Sequence, residues 1–163
     1  IVHARNAVLK GLSPKENRDI PPLRYEVVKR LKQHFPHLQI ILNGGITTVE
    51  AIQTHLQWAD GCMIGREAYS NPWLLAGFDE LMGKRSDAKT RFDVIDEIRD
   101  YAERELSKGE SIRNITKSWL GLFHGQPGGR LYRQVLSDST LLKANNWQVV
   151  EDALAKMAKH AIA

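Results

Sequence analysis

Three short apolar runs, separated by helical patterns, constrain the fold of the first half of this sequence most strongly. A strand is predicted to end at His3, and further strands are predicted at Leu38–Leu42 and Gly61–Ile64. Between these runs, apolar residues recur at helical spacing: Val27, Val28, Leu31 and Phe35, then Val49, Ile52 and Leu56. Strands joined through a single helix pair in parallel, with right-handed connections. The first half is therefore predicted to be α/β with a parallel sheet.

Proline and threonine residues predict the ends of these helices. Pro21 and Pro22 are expected to open the first helix, and Pro36 to end it. Thr47 and Glu50 have the spacing of a capping box, which predicts the start of the second helix.

After Pro72 the strand patterns stop and three helical stripes follow. The first lies within residues 93–106, the second in 112–123, and the third in 150–161 with Asn146 as its N-cap. Three helices with short connections predict a small all-α bundle. We expect one domain at residues 1–78 and a second at 79–163, with a surface linker at residues 83–87.

Two loops that follow predicted strands have the composition of phosphate-binding turns. Asn43-Gly44-Gly45 lets the backbone approach a ligand, in front of a helix N-terminus whose free N–H groups attract anions. Gly65-Arg66 repeats the arrangement one strand later and adds a guanidinium. Taken singly, the first could be a tight turn and the second a surface arginine. Together they match the phosphate site after the last two strands of a TIM barrel.

Other residues with reactive side chains give weaker indications. His3 ends a strand at the same rim, and Arg5 points the same way if the strand continues; a structural histidine is the alternative. The remaining histidines are scattered, with no spacing typical of a metal site, so no metal is expected. Cys62 lies in an apolar run and is interpreted as a buried, unreactive thiol.

A basic segment in the second half indicates an anionic partner. Residues 108–143 contain six basic and two acidic residues, although the net charge of the chain is only +4. A solvated helix face is the alternative interpretation. The single cysteine and the lack of a membrane-length apolar run or signal peptide favour the cytoplasm, with no membrane partner.

The sequence begins inside a predicted core strand and without methionine, so we expect a C-terminal fragment whose upstream part supplies neighbouring strands. A truncated barrel exposes strand edges, which favours self-association.

Several long motifs resemble those of bacterial tRNA-dihydrouridine synthases, specifically the A-type subfamily. They are Val2-His3-Ala4-Arg5, the loop from Lys10 to Arg18 followed by Ile20-Pro21-Pro22, Leu42-Asn43-Gly44-Gly45-Ile46, Gly61 to Pro72, Arg113-Asn114-Ile115-Thr116, and Leu120 to Arg130. The resemblance covers nearly the whole chain. It implies the last strands of a TIM (β/α)8 barrel followed by a helical tRNA-binding domain.

The resemblance also implies chemistry: FMN reduces a uridine of the tRNA D-loop to 5,6-dihydrouridine, with NADPH as reductant. Its implied FMN-binding residues are His3, Asn43, Gly44, Gly45, Gly65 and Arg66. Its implied tRNA-binding residues are Lys15, Arg18, Arg130 and Arg133. The family's catalytic cysteine lies upstream of this chain, so no catalytic residue is expected here and the isolated chain should be inactive.

Two other functions fit part of the sequence. Another FMN-dependent TIM-barrel oxidoreductase, of the dihydroorotate-dehydrogenase kind, would share the two glycine-containing turns but would not explain the basic helical segment. A non-catalytic RNA-binding module would explain the basic segment but would bind no flavin.

Overall fold

The computed structural model describes residues 1–83 and 90–161. They form two compact units, which divide between Glu67 and Ala68. The predicted linker at residues 83–87 lies, except for Gly83, outside the described residues. The predicted domain division after residue 78 stays a prediction.

A three-stranded parallel sheet organises the first unit. Its strands are β1 (Val2–His3), β2 (Ile41–Asn43) and β3 (Gly61–Met63), in the order β1-β2-β3. The predicted parallel α/β arrangement is thereby confirmed for these strands. Its central strand, β2, carries Leu42, whose side chain is completely buried.

Three helices accompany the sheet: α1 (Glu16–Asp19), α2 (Tyr25–His34) and α3 (Val49–Leu56). The prediction that α2 opens at the prolines is wrong, because the Arg24 N–H donates to the Ala4 carbonyl (2.7 Å) and holds the preceding segment against the end of β1. The predicted capping box between Thr47 and Glu50 is also wrong, because α3 begins one residue later and the residue at its N3 position is Ala51. Thr48, not Thr47, is the N-cap of α3, and its hydroxyl accepts from the Ala51 N–H (3.1 Å).

The first unit has a small core, and the predicted apolar stripes are only partly buried. Val28 of α2 and Ile52 of α3 are buried, whereas Leu56 is 39% exposed. Asp60 binds the backbone at the amino end of β2. Its carboxylate accepts from the Ile40 N–H (2.7 Å) and pairs with Lys32 (2.7 Å), and these contacts lower the pKa of the carboxyl group.

In the second unit, all secondary structure found among the described residues is helical. The helices are α4 (Arg66–Ser70, which begins in the first unit), a 3-10 helix (Pro72–Ala76), α5 (Gly77–Leu81), α6 (Arg91–Ser107), α7 (Ile112–Thr116), α8 (Gly129–Val135), a second 3-10 helix (Leu141–Ala144) and α9 (Gln148–Ala161). Helix α6 starts with a capping box between Thr90 and Asp93.

The helix predicted within residues 112–123 is shorter than expected. Helix α7 ends at Thr116, and the chain continues through turns to Gly128 before α8 begins. Apolar residues at three- and four-residue spacing also suit successive turns that face one core, so the stripe could not reveal the break. The core that they share includes Ile95, Ile112, Phe123, Tyr132 and Val150.

No helix within residues 1–83 and 90–161 is long and apolar enough to cross a membrane.

Candidate functional site

The carboxyl ends of the three strands bring predicted site residues side by side. In the sheet register, His3 is opposite Asn43, and Asn43 is opposite Met63. Gly44 follows β2 directly, and Gly65 lies two residues beyond the end of β3. The two glycine-containing turns therefore leave neighbouring strands at the same edge of the sheet, where α/β proteins commonly bind ligands.

Glycine is needed at both positions of the first turn. Gly44 has φ +118° and Gly45 has φ +66°, in a region that other residues rarely adopt. A Cβ on Gly44 would lie 3.1 Å from the His3 ring, and a Cβ on Gly45 would collide with Leu23. Neither amide N–H donates a hydrogen bond within the described ranges 1–83 and 90–161. Both are thus available as donors to a ligand.

His3 is exposed beside this turn and has a defined tautomer. Its Nδ1 atom accepts a hydrogen bond from the Arg5 backbone N–H at 3.0 Å. In the neutral ring the proton is therefore on Nε2, which can donate to a ligand at the strand ends.

The second turn combines open space with a positive charge. A Cβ added to Gly65 would meet no atom within 4 Å, so this glycine leaves room above the backbone. The adjacent Arg66 is exposed, forms an ion pair with Asp19 (2.8 Å) and donates to the Arg18 carbonyl oxygen (3.3 Å). Its guanidinium is therefore linked to the loop that follows β1.

A second guanidinium in this unit has a buried atom without a partner. The Nε atom of Arg5 is inaccessible to solvent, yet it makes no hydrogen bond to the described residues. Arg5 and Arg18 also act electrostatically on Asp19 and, with Arg66, lower the pKa of its carboxyl group; the Arg66 hydrogen bond contributes most. Arg66 thus hydrogen-bonds to this carboxylate, whereas Arg5 and Arg18 act on it through their charge.

Taken together, these residues suit a phosphate monoester. Two unpaired backbone N–H groups, the guanidinium of Arg66 and the open surface at Gly65 are the features that phosphate sites use.

Two residues behind the first turn were missed by sequence reasoning. The Tyr25 hydroxyl donates to the Gly44 carbonyl (2.8 Å), and the Tyr25 ring packs on His55 (4.5 Å between centroids). His55, one of the scattered histidines, is partly buried. Its Nδ1 atom is buried, and burial lowers the pKa of the ring. Neither the tyrosine nor the histidine lies near the turn in sequence, so no local pattern reveals them.

The loop after β1 presents the first predicted pair of tRNA-binding cations. Lys15 and Arg18 are exposed, and the Arg18 N–H donates to the Lys15 carbonyl at 3.0 Å, so they occupy one helical turn. Asn17 holds this loop in place. Its side chain accepts from the Val8 N–H (2.7 Å) and donates to the Val8 carbonyl (2.9 Å).

The second predicted pair lies in the helical unit and lines a cavity of about 220 Å³. Arg130 and Arg133 are three residues apart on α8, and His124 and Gln126 contribute to the same cavity wall. Neither arginine forms an ion pair or a side-chain hydrogen bond within the part of the chain that the structure describes. A concave surface with two uncompensated positive charges attracts anions.

Cys62 is half-buried in β3, and burial raises the pKa of its thiol. A raised pKa favours the neutral thiol, which is a poor nucleophile. Residues 1–83 and 90–161 contain no group of three or more His, Cys, Asp or Glu side chains that could hold a metal ion.

Comparison with known proteins agrees with this geometry. The family described as "Dihydrouridine synthase (Dus)" matches residues 1–159. The chain belongs to the dihydrouridine synthase family.

Curated members of the dihydrouridine synthase family are similar to the chain along nearly all of its length. A protein of Pseudomonas aeruginosa is 49% identical over 158 residues, which are 96% of this chain and 48% of that protein. One of Vibrio parahaemolyticus is 47% identical over 159 residues (97% and 49%), and one of Xanthomonas campestris pv. campestris is 48% identical over 153 residues (94% and 45%). All three are named tRNA-dihydrouridine(20/20a) synthase. The chain spans about half the length of these relatives.

Proposed function

We propose that this chain supplies the flavin-phosphate site and a tRNA-binding surface of an NADPH-dependent, FMN-containing tRNA-dihydrouridine synthase. The observation that carries the proposal is the pair of turns, Asn43-Gly44-Gly45 and Gly65-Arg66, at the ends of adjacent parallel strands. The names of the relatives supply the substrate, a tRNA, and suggest the uridines at positions 20 and 20a of its D-loop.

The FMN phosphate would be held by the first turn and by Arg66. The N–H groups of Gly44 and Gly45 would donate to phosphate oxygens, and the guanidinium of Arg66 would neutralise part of the charge. His3, Asn43 and Gly65 complete the set: His3 offers its Nε2–H, the Asn43 side chain adds polar contacts, and Gly65 keeps the space open. When bound, FMN supplies the hydride that reduces the uridine C5–C6 double bond, and NADPH restores it.

The proposal also concerns the fold of the complete protein. The three strands would be the last strands of a TIM (β/α)8 barrel, since phosphate sites in such barrels recur at the final strand ends. The helices from α6 to α9 would form the C-terminal helical domain that contacts tRNA. A tRNA-modifying enzyme of this kind would act in the cytoplasm.

Recognition of the tRNA would rely on its backbone. Lys15 and Arg18 on one turn, and Arg130 and Arg133 at the helical cavity, would pair with phosphates and orient the substrate. The target uridine must leave its stack to reach the flavin, so shape and phosphate contacts would dominate affinity.

No residue of this chain is proposed as the catalytic acid. Cys62, the only cysteine of the sequence, is half-buried in β3 and does not occupy the motif of the family's catalytic cysteine. The family's catalytic cysteine would lie in the part of the relatives that this chain does not match.

The test uses the complete protein, transcribed tRNA that lacks modifications, and NADPH. We expect the purified protein to absorb as a flavoprotein, and dihydrouridine to accumulate in the tRNA. Omission of NADPH, and substitution of a tRNA with the D-loop uridines replaced by cytidine, serve as controls.

The alternative functions give different results. A flavoprotein that neither binds nor modifies tRNA would be another TIM-barrel oxidoreductase. A protein that binds tRNA and takes up no flavin would be an RNA-binding module. Either result would contradict the proposed function.

A further inference from the structure

Asp19 is the partner of the arginine proposed to bind the flavin phosphate, although 47 residues separate them in sequence. The Arg66 guanidinium donates to Asp19 at 2.8 Å and, through its other terminal nitrogen, to the Arg18 carbonyl at 3.3 Å. Both contacts come from the single turn α1, the turn that also carries Lys15 at its start. A carboxylate thus competes for the same guanidinium that a phosphate would use.

Asp19 is not needed to shape its own loop. The loop is already held by Asn17, which bonds to both backbone groups of Val8, and by a reciprocal pair between Ser13 and Glu16. Asp19 is the last residue of the single turn α1. Among the bonds found within the described residues, the Asp19 side chain bonds only to Arg66. The ion pair with Arg66 therefore accounts for the carboxylate at this position better than the local structure of the loop does.

The ion pair is also weak enough to be exchanged. The side chains of Arg66 and Asp19 are 63% and 51% exposed, and exposed ion pairs contribute little to stability. A phosphate dianion has twice the charge of the carboxylate and would gain additional bonds from the Gly44 and Gly45 amides. It should therefore displace Asp19 from Arg66.

We propose that Asp19 is an internal counter-ion, and that it competes with the phosphate of the flavin for Arg66. The pair keeps Arg66 at the strand ends before the flavin binds and lowers the affinity for the phosphate. Asp19 therefore tunes the preference for FMN over riboflavin, which has the same ring system but no phosphate. This inference rests on the flavin site proposed above.

The test measures the binding of FMN and of riboflavin to the flavin-free complete protein by quenching of flavin fluorescence. Asp19→Asn should tighten FMN binding about three- to fivefold, because it removes one negative charge near a dianion. Riboflavin binding should not change. The effect should shrink in 1 M salt, where the screening length is roughly 3 Å.

Two variants make the result specific. Asp100→Asn is the charge-matched control, since Asp100 is exposed on α6 and its side chain forms no hydrogen bond or ion pair with the described residues; it should leave both affinities unchanged. Arg66→Ala should reduce the preference for FMN over riboflavin by about tenfold or more, through the loss of a charge-assisted contact. Asp19→Ser replaces Asp19→Asn if the latter is poorly folded.

The outcomes separate the two proposals. If Arg66→Ala reduces the preference while Asp19→Asn behaves like Asp100→Asn, the competition is refuted and the phosphate site stands. If Asp19→Asn weakens FMN binding, Asp19 supports Arg66 and the competition is likewise refuted. If Arg66→Ala leaves the preference unchanged, the phosphate site in the proposed function is wrong.

Discussion

The two units of this chain use glycine-rich loops in different ways. At the strand ends, the missing side chain of Gly65 leaves open space, and the Gly44 and Gly45 amides face no partner in the described residues. In the helical unit, the space that a Cβ would need at Gly128 is filled by the backbone and side chain of Met157. At Gly129 it is filled by the Phe123 carbonyl.

This difference shows how each proposed site works. The strand-end site offers backbone groups to its ligand, and its main cation is paired with Asp19. In the helical site, Gly128 lies against Met157 of α9 and Gly129 lies against Phe123, and the guanidinium groups of Arg130 and Arg133 are exposed. A change at Gly65 should therefore affect ligand binding, whereas a change at Gly128 should affect stability.

The largest effect is expected for Gly128→Ala. Its φ of +73° strains any other residue, and the new Cβ would lie 2.6 Å from the Met157 carbonyl oxygen. Strain and overpacking together should lower the free energy of unfolding by about 3 kcal/mol, measured by urea denaturation of the complete protein. Gly125→Ala is the matched control, because Gly125 has the same φ of +73° but no atom within 4 Å.

Gly125→Ala should lower the free energy of unfolding by about 1 kcal/mol, which is the effect of backbone strain alone. Equal losses in the two variants would mean that the close approach of α8 and α9 has no role in stability, and the contrast between the units would fail.

The second prediction concerns the cations of the helical cavity. Changing both Arg130 and Arg133 to alanine should weaken tRNA binding roughly 10- to 100-fold and reduce the salt slope by about one unit per arginine. FMN binding should not change. Filter binding or fluorescence anisotropy across a series of salt concentrations measures both quantities.

The control is the double change Lys156→Ala and Lys159→Ala, which removes the same charge at the same three-residue spacing on α9, where both lysines are exposed. If this pair lowers tRNA affinity as much as the arginine pair does, binding depends on net charge rather than on the cavity.

The third prediction is that Gly65→Ala separates binding from folding. Its Cβ would meet open space and its φ is not in the left-handed region, so the thermal unfolding midpoint of the flavin-free protein should not change. The methyl group would occupy the space proposed for the ligand, and FMN binding should weaken about tenfold, roughly 1.4 kcal/mol. A lower midpoint, or unaltered FMN affinity, would show that Gly65 does not provide access for a ligand.

The sequence predicted the parallel strands and the positions of both turns because these depend on local patterns. Apolar runs gave the strands, and Gly44, Gly45 and Gly65 marked the turns. It placed the cap of α3 at Thr47 instead of Thr48, since two adjacent threonines are equally good caps.

What the sequence could not predict are contacts between distant residues. The Asp19–Arg66 pair and the Tyr25–His55 contact join segments that only the folded sheet brings together. Likewise, the stripe from Ile112 to Phe123 predicted one helix, because its spacing does not show that the backbone at Gly121 packs against the Ser70 carbonyl.

The smallest expected effect is a pH dependence confined to the strand-end unit. His55 packs between Tyr25 and Trp58, and burial lowers the pKa of its ring below the ordinary value of 6.5. The unfolded chain then binds a proton more readily than the native state does, so the stability that neutral His55 provides is full above pH 6.5 and is lost as the pH falls toward the lower native pKa.

His55→Gln should therefore reduce the fall in thermal midpoint between about pH 7 and pH 5.5, by a degree or two. His37→Gln, at an exposed histidine, is the control for the substitution itself. Binding of tRNA through Arg130 and Arg133 should not depend on His55. If the thermal midpoint falls equally with pH in wild type and in His55→Gln, the buried ring does not cause the pH dependence of stability.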